Sequence, residues 1–313
     1  MDKEILFFEP VHKEMIWGTE DWVIAAHNNG DCKVKEGKFK GKTLSELWWD
    51  RLDLFGNMES DRFPLLLKVI DAKDDLSIQV HPDDAYASKH ENGSFGKTEC
   101  WYILDCKEDA TLVIGHNAKS REELCKLIDN HNFKYLIKEV PIKKGDFVQI
   151  PPGTVHAIKG GVKILETQQN SDITYRVYDY DRLQDGKPRQ MHVEQSKAVI
   201  NIPGDSTKIL QTSNEEGLHE LVACDHYTVY KLNVRNQADL REELSKCTSS
   251  NEPDLSADDV MSGFLMISVT DGAGLINGKP IHAGQTFLVT AGEGDITFGG
   301  TMTLIISTPA QSS

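Results

Sequence analysis

The chain has 313 residues, of which 39% are hydrophobic and 27% are charged, and this composition suits an ordinary globular core. At roughly 100–200 residues per domain, the length predicts two domains. The net charge of -15 argues against nucleic acid and against an anionic membrane surface as partners.

The N-terminal segment, MDKEILFFEPVHKEMIWG, mixes charged and apolar residues. It has neither the basic start nor the continuous apolar stretch of a signal peptide. No run approaches the roughly 18 apolar residues that a membrane span needs. The six cysteines include no Cys-x-x-Cys pair, so we expect reduced thiols in a cytoplasmic protein.

Short runs rich in β-branched and aromatic residues, separated by Gly, Pro and Asp, predict a β-barrel or sandwich in the first part of the chain. The predicted strands are PLLLKVID (64–71), LSIQVH (76–81), ECWYILD (99–105), TLVIGH (111–116), DFVQIP (146–151) and VKILETQ (162–168). Helices are predicted at 43–51, 82–90, 120–140 and 193–200. The first of them opens with Thr43 followed by Glu46, which is a capping-box pattern.

Beyond about residue 202, the polar segments QTSNEEG and SKCTSSNEPDLSADDV are expected to be loops or turns. The strands predicted around them are YTVYKLNV (227–234), FLMISVTDG (264–272), QTFLVTAG (285–292) and MTLIIST (302–308). A second β-domain is therefore expected. We place the first domain at 1–205, with helical insertions packed on its barrel at about 40–55, 82–92 and 118–140, and the second at 206–313.

Two segments, Gly145–His156 and Gly284–Asp295, share the same spacing of glycines around a strand. Two ordinary β-hairpins with glycine turns would give this pattern, and so would two copies of one barrel module, which we favour. In the second case only the first copy keeps a histidine where a metal ligand would lie, because Asp295 takes that position in the second copy.

Gln79, His81, Glu99 and His156 form a candidate metal site. Gln79 and His81 are two residues apart on a predicted strand, so their side chains point to the same face. Imidazole, carboxylate and amide ligands suit Zn²⁺, with other first-row divalent metals possible, and leave room for water or substrate. Each residue also has a simpler explanation. A lone histidine is often a hydrogen-bonded core residue, Glu99 could lie in solvent at a strand end, and Gln79 could support a ligand instead of binding the metal.

The spacing from Gly145 to His156 resembles the second motif of the cupin superfamily. The first cupin motif has His-x-His with a nearby Glu, whereas here Gln79 replaces the first His and Glu99 follows an inserted segment. This departure resembles the zinc-dependent mannose-6-phosphate isomerases of the short bacterial type from about Phe8 to residue 200. The other segments that carry the resemblance are LSIQVHPDD (76–84), KTECWYIL (97–104), PPGTVHAI (151–158) and LETQQNSDITYRVYDY (165–180).

The resemblance implies a mainly β chain of two cupin, jelly-roll-like barrels, with a few helices on the first and a C-terminal barrel without a metal. It implies one Zn²⁺ per chain and the interconversion of mannose 6-phosphate and fructose 6-phosphate by proton transfer through an enediol. The expected partner is a small sugar phosphate, and we expect a monomer.

The same resemblance implies roles for further residues. Lys68 and Ser77 would bind the substrate phosphate, and Arg176 would stabilise the enediolate or help to open the sugar ring. Lys97 and Glu166 are further catalytic candidates. The general base stays open between Glu166, Lys97 and a metal-activated hydroxide.

Simpler roles exist for two of these cations. Lys68 could be a solvated lysine at a strand end, and Arg176 could form a salt bridge to Asp172, Asp179 or Asp181. Three rival functions also remain: an Fe(II) cupin oxygenase, a non-catalytic sugar-phosphate-binding or regulatory cupin, and an isomerase for another phosphosugar or a free aldose. Gln79 and the basic residues disfavour the oxygenase, and an intact Glu99, His156 and Arg176 disfavour the non-catalytic protein.

Overall fold

Two compact units divide the chain, and each is assembled from segments that are far apart in the sequence. The central unit comprises His12–Asp21 and Leu66–Gln211, and the terminal unit comprises the chain up to Val11, Trp22–Leu65 and the chain from Thr212 onward. The computed structural model describes residues 3–204, 207–247 and 256–310. The boundary predicted between residues 205 and 206 therefore lies outside the described residues. The predicted division into 1–205 and 206–313 also differs from these units, because N-terminal segments group with C-terminal ones.

Two β-sheets form the central unit. In spatial order, the seven-stranded sheet contains Leu210–Gln211, Asp146–Ile150, Glu99–Cys106, Val162–Gln169, Leu65–Ala72, Gly18–Ile24 and Val11–Met15. The five-stranded sheet contains Ile137–Pro141, Thr111–His116, His156–Ala157, Ile78–Val80 and Tyr175–Tyr178. A separate hairpin joins Leu183–Gln184 to Lys187–Pro188. This arrangement confirms the mainly β, cupin-type expectation.

The five-stranded sheet carries an apolar outer face on which helices pack. Ile78 and Val80 are buried in one cluster with Leu124, Ile128 and Leu136, which come from the helical segment. Because side chains alternate along a strand, Gln79 points to the opposite face. This alternation separates the packed outer face from a polar interior.

The helices of the central unit are Asp84–His90, Arg121–Asp129, Phe133–Leu136 and Val193–Val199. The prediction of helix throughout 120–140 is wrong at its end, because Ile137–Pro141 is a strand paired antiparallel with Thr111–His116. The β-branched Ile137 and Val140 favour that extended backbone.

A nine-stranded sheet forms most of the terminal unit. Its strands are Ile5–Glu9, Lys33–Val34, Gly217–Ala223, Tyr227–Val234, Gln237–Asp239, Leu265–Ile276, Lys279–His282, Thr286–Val289 and Thr297–Pro309. Ala26–His27 and Gly30–Asp31 form a small separate pair. The N-terminal strand Ile5–Glu9 pairs antiparallel with Thr286–Val289, near the other end of the chain.

Helices in the terminal unit correct two expectations. Leu44–Asp50 has the predicted capping box between Thr43 and Glu46, and the 3₁₀ helix Leu52–Phe55 follows it, yet both belong to the terminal unit and not to the first barrel. The helices Leu240–Lys246 and Ala257–Ser262 overlap the two ends of the segment 245–260, where a polar loop was predicted, and residues 248–255 of that segment lie outside the described residues. Asp239 and Ser256 cap these two helices.

The two segments with matching glycine spacing both form the predicted strand, at Asp146–Ile150 and at Thr286–Val289. Each strand is entered through a glycine in the left-handed region, Gly145 with φ 87° and Gly284 with φ 89°. Asp295, the counterpart of His156, has a side chain that is 63% exposed and lies 3.5 Å from Arg241. In the part of the chain that the structure describes, no helix combines the length and apolar character needed to cross a membrane.

Candidate metal centre

Three adjacent strands of the five-stranded sheet bring the candidate residues into register. Gln79 is the antiparallel partner of His156 on one side and of Arg176 on the other. Paired residues in antiparallel strands point to the same face, so these three side chains share the interior face of the sheet. Glu99 and Glu166 come from neighbouring strands of the seven-stranded sheet, so the candidate site lies between the two sheets of the central unit.

His81, Glu99 and His156 form a compact group in which one ligand atom from each residue lies within 4.8 Å of the others. All three side chains are at most 1% exposed. The Nδ1 atom of His81 donates to the carbonyl of Ile173 at 2.8 Å, and the Nδ1 atom of His156 donates to the carbonyl of Thr154 at 2.9 Å. Both Nε2 atoms therefore present lone pairs toward Glu99, as metal-binding histidines do.

The electrostatics of the group also fit a divalent cation. Burial and the Lys97 ammonium lower the pKa of His81 to about 3, so its imidazole is neutral at pH 7. Burial also lowers the pKa of His156. Burial alone would raise the pKa of Glu99, but the neighbouring Lys97 ammonium outweighs burial and helps to hold that pKa well below its usual value. Glu99 Oε1 is buried and has no hydrogen-bond partner among the described residues. A bound metal ion would satisfy this oxygen as an acceptor.

Gln79 contacts the group without the burial of the other three residues. Its side-chain amide lies 3.2 Å from His156 Nε2 and its Oε1 atom lies 3.4 Å from Ser77 Oγ. The assignment of oxygen and nitrogen in an amide follows from its hydrogen bonds, and the opposite orientation would place Oε1 toward His156. Gln79 is therefore positioned either to bind a metal or to orient His156.

Lys97 reaches the centre of the group, as its place two residues before Glu99 predicts. Its ammonium lies 3.1 Å from His81 Nε2 and contacts Glu99 Oε2. The same ammonium is 3.9 Å from Glu166 Oε1. Because His81, Glu99 and Glu166 all surround the Lys97 ammonium, the interior at this point favours a positive charge.

Glu166 and Lys68 form a buried ion pair next to the candidate metal ligands. Glu166 Oε2 lies 3.1 Å from Lys68 Nζ, and the two side chains are 3% and 7% exposed. Glu166 Oε1 accepts a hydrogen bond from the indole of Trp101 at 3.1 Å. Burial raises the pKa of Glu166, although the positive charges of Lys68 and Lys97 oppose this shift. Burial alone would lower the pKa of Lys68, but the Glu166 carboxylate outweighs burial and raises it. The solvated-lysine alternative for Lys68 is therefore wrong.

Arg176 and Ser77 line the same cavity as Lys68, Gln79, Lys97 and Glu166. The alternative of a salt bridge between Arg176 and Asp179 does not hold, since Asp179 pairs with Arg182 at 2.5 Å and Arg189 at 3.2 Å. Arg176 Nε is buried without a hydrogen-bond partner in the described part of the chain. Burial and the nearby Arg189 lower the pKa of Arg176.

Trp101 and Arg189 are among the residues of this cavity that the sequence did not predict as site residues. Trp101 lies two residues after Glu99 on one strand, so the alternation of side chains was a signal that could have placed it on the interior face. Arg189 follows an irregular segment and a short hairpin, where no periodicity predicts the direction of a side chain.

Comparison with known proteins gives matches over almost the whole chain. A profile described as phosphomannose isomerase type I, catalytic domain, matches residues 9–102. The chain is 42% identical to mannose-6-phosphate isomerase ManA of Bacillus subtilis, over 98% of this chain and 99% of that protein. It is 46% identical to mannose-6-phosphate isomerase of Streptococcus mutans, over 71% of each.

Solved structures agree with these matches. The mannose 6-phosphate isomerase of Bacillus subtilis superposes with a TM-score of 0.81 at 38% identity, and the match covers 97% of this chain and 99% of that one. A variant of phosphomannose isomerase from Salmonella typhimurium has a TM-score of 0.75 at 12% identity, which shows likeness of fold.

Proposed function

This chain belongs to the type I mannose-6-phosphate isomerases, which are aldose–ketose isomerases, and we propose that its substrate pair is mannose 6-phosphate and fructose 6-phosphate. The observation that carries the proposal is the buried group of His81, Glu99 and His156, which Gln79 and Lys97 connect to a cavity lined by four cationic side chains. A sugar phosphate needs both features, because its carbonyl must be polarised and its phosphate must be neutralised.

The proposed metal is one Zn²⁺ per chain, bound by His81, Glu99 and His156 with Gln79 as the fourth ligand. Two neutral imidazoles, a carboxylate and an amide oxygen suit this ion. When bound, the metal acts as a Lewis acid that stabilises negative charge on the substrate oxygens near C1 and C2. The carbonyls of Ile173 and Thr154 hold both imidazoles in the tautomer that leaves Nε2 unprotonated.

Glu166 is the proposed general base. Its Oε2 atom lies in the cavity wall beside Lys68, while the Trp101 indole holds Oε1. A carboxylate whose pKa is raised by burial accepts a proton at neutral pH more readily than an exposed one does. Glu166 Oε2 would take the proton from C2 of the aldose and return it to C1, which interconverts the two sugars through an enediol. Lys97, between Glu166 and the metal ligands, would donate to substrate hydroxyls.

Arg176 is proposed to stabilise the enediolate. A guanidinium keeps its positive charge under all ordinary conditions and presents several donors in one plane. The buried Nε of Arg176, with no partner among the described residues, supplies one such donor to a substrate oxygen. Ser77 and Lys68 are proposed to bind the phosphate, because both line the cavity and both are hydrogen-bond donors.

A coupled assay with mannose 6-phosphate, before and after chelation, tests the function. We expect activity to be lost with the chelator and restored by Zn²⁺, and His156→Ala to lose both bound metal and activity. The exposed His131→Ala serves as the matched control and should keep both. Metal-replete protein that fails to isomerise mannose 6-phosphate would refute the substrate assignment. Oxygen uptake by the Fe(II)-loaded protein would instead support the oxygenase.

We also propose that the enzyme works as a monomer in the cytoplasm. None of the six cysteines, all of which lie among the described residues, forms a disulfide, as a reducing compartment favours. Light scattering after size-exclusion chromatography would contradict the monomer if it gave a mass well above 35.0 kDa.

A further inference from the structure

We infer that Arg189 is a substrate-binding residue, and that its guanidinium, held by Asp179, binds the phosphoryl group of the sugar phosphate. This inference rests on the proposed function and adds a residue to the substrate site. Arg189 lines the cavity that also contains Lys68, Ser77 and Arg176. Its side chain is only 9% exposed.

A short hairpin places Arg189 beside Arg176. After the strands Leu183–Gln184 and Lys187–Pro188, the chain returns to the five-stranded sheet at His192. The His192 amide donates to the Arg176 carbonyl at 2.9 Å, and the Arg176 amide donates to His192 Nδ1 at 3.3 Å. Arg189 is three residues before this junction, so its side chain reaches the cavity near Arg176.

Asp179 fixes the direction of the Arg189 side chain. Arg189 Nη1 donates to the two carboxylate oxygens of Asp179 at 3.2 and 3.4 Å. Asp179 is itself 4% exposed and also accepts from Arg182 Nη2 at 2.5 Å. One buried carboxylate thus holds arginines from both ends of the hairpin, and only Arg189 of these two lines the cavity. A guanidinium that is already oriented loses little conformational entropy when an anion binds.

The charges around the cavity indicate why a second arginine is present. Lys68 and Lys97 each have a carboxylate partner, Glu166 and Glu99, whereas the single carboxylate of Asp179 is shared by Arg182 and Arg189 and balances only one of their two charges. Arg176 and Arg189 lie close enough for Arg189 to lower the pKa of Arg176. Two cations near each other in a partly buried site repel each other, and an anionic substrate bound in the cavity would reduce that cost. Arg189 would therefore favour phosphorylated sugars over free ones.

Steady-state kinetics with Arg189→Gln test this inference. We expect KM for mannose 6-phosphate, and Ki for inorganic phosphate as a competitive inhibitor, to rise about 10- to 100-fold, as for loss of one charged hydrogen-bonding partner. kcat and bound metal should stay within about twofold. Arg189→Lys, which keeps the charge but loses the planar fork, should give a smaller rise in both constants.

Two matched controls separate binding from charge and from folding. Lys187→Gln removes the same charge from an exposed position two residues away and should leave KM and Ki unchanged. Arg182→Gln removes the other arginine held by Asp179, and it too should leave both constants near those of the wild type. A rise in Ki with Arg182→Gln equal to that with Arg189→Gln would overturn the inference, because the effect would then come from the hairpin.

The outcomes distinguish this inference from the proposed function. If the wild type isomerises mannose 6-phosphate and Arg189→Gln leaves KM and Ki unchanged, or lowers only kcat, Arg189 does not bind the phosphoryl group. If the wild type is inactive on mannose 6-phosphate, the proposed function fails. Calorimetric titration of inorganic phosphate into wild type and Arg189→Gln still decides the role of Arg189, with weaker binding to the variant supporting it and equal binding refuting it.

Discussion

Gln79 and Arg176 are register partners across two antiparallel strands, and Gln79 is at the same time the partner of His156. Strand pairing therefore places the backbone of Arg176, the proposed catalytic arginine, directly opposite that of Gln79, a proposed metal ligand. Cα atoms of directly opposed residues are about 4.5–5.5 Å apart in antiparallel sheets.

Gln79→Ala should weaken Zn²⁺ binding. If Gln79 orients His156, we expect a loss of about 10- to 100-fold in affinity, as for other residues that support a metal ligand. A larger loss would support direct coordination. Chelator competition gives the dissociation constant, and Ser77→Ala, which removes the hydroxyl next to Gln79 Oε1, is the control. Unchanged affinity in Gln79→Ala would show that neither role exists.

Arg176→Gln should retain bound metal and lose turnover. Removing one group that stabilises transition-state charge typically lowers kcat by about 10²–10³-fold. Arg176→Lys should recover only part of the rate, because an ammonium lacks the planar set of donors. Metal content measured on the same preparations separates this effect from that of His156→Ala. Normal kcat in Arg176→Gln would remove the residue from the mechanism.

The metal-free protein should lose stability as pH falls below about 6.5. The pKa of His81 is about 3 in the folded protein and near 6.5 when unfolded, so the unfolded chain binds more protons between these values. Stability therefore decreases as pH falls through this window. Calorimetric Tm against pH should show a shallower slope for His81→Gln than for wild type, whereas the exposed His131→Gln should match wild type. Equal slopes for wild type and His81→Gln would contradict the assignment.

Adjacent tryptophans in the terminal unit should differ sharply in their contribution to stability. Trp48 is 2% exposed, and its ring contacts those of Phe55, Phe63 and Phe264 with centroids 5.1, 5.4 and 6.5 Å away. Trp48→Ala should lower the free energy of unfolding by about 3–5 kcal/mol. Trp49 is 66% exposed, so Trp49→Ala should change it by no more than about 0.5 kcal/mol. Denaturant titration of both variants measures the difference, and equal losses would contradict the packing.

Local patterns predicted much of the fold and the grouping of His81, Glu99 and His156. The spacing of two residues along one strand put Gln79 and His81 on the same face, and both side chains lie next to His156. These predictions succeeded because strand geometry is a property of consecutive residues.

Predictions that depend on distant contacts succeeded less well. Nothing within Ile5–Glu9 indicates its pairing with Thr286–Val289, so the division into units differed from the one expected. The sequence did not predict Arg189 as a site residue, because the direction of its side chain depends on Asp179, which lies on the other side of a hairpin. The strand at Ile137–Pro141 was predicted as a helix because the amphipathic segment before it has helical spacing and the pairing with Thr111–His116 is long-range.

The pairing of Ile5–Glu9 with Thr286–Val289 also constrains how the protein is made. A ribosome that adds about 5–20 residues per second exposes the first strand on the order of tens of seconds before its partner emerges. Through that interval the apolar Leu6, which is buried in the finished protein and pairs with Leu288, lacks its partner strand. The nascent chain should therefore bind chaperones until synthesis is nearly complete. Early termination of translation would leave an N-terminal segment that tends to aggregate.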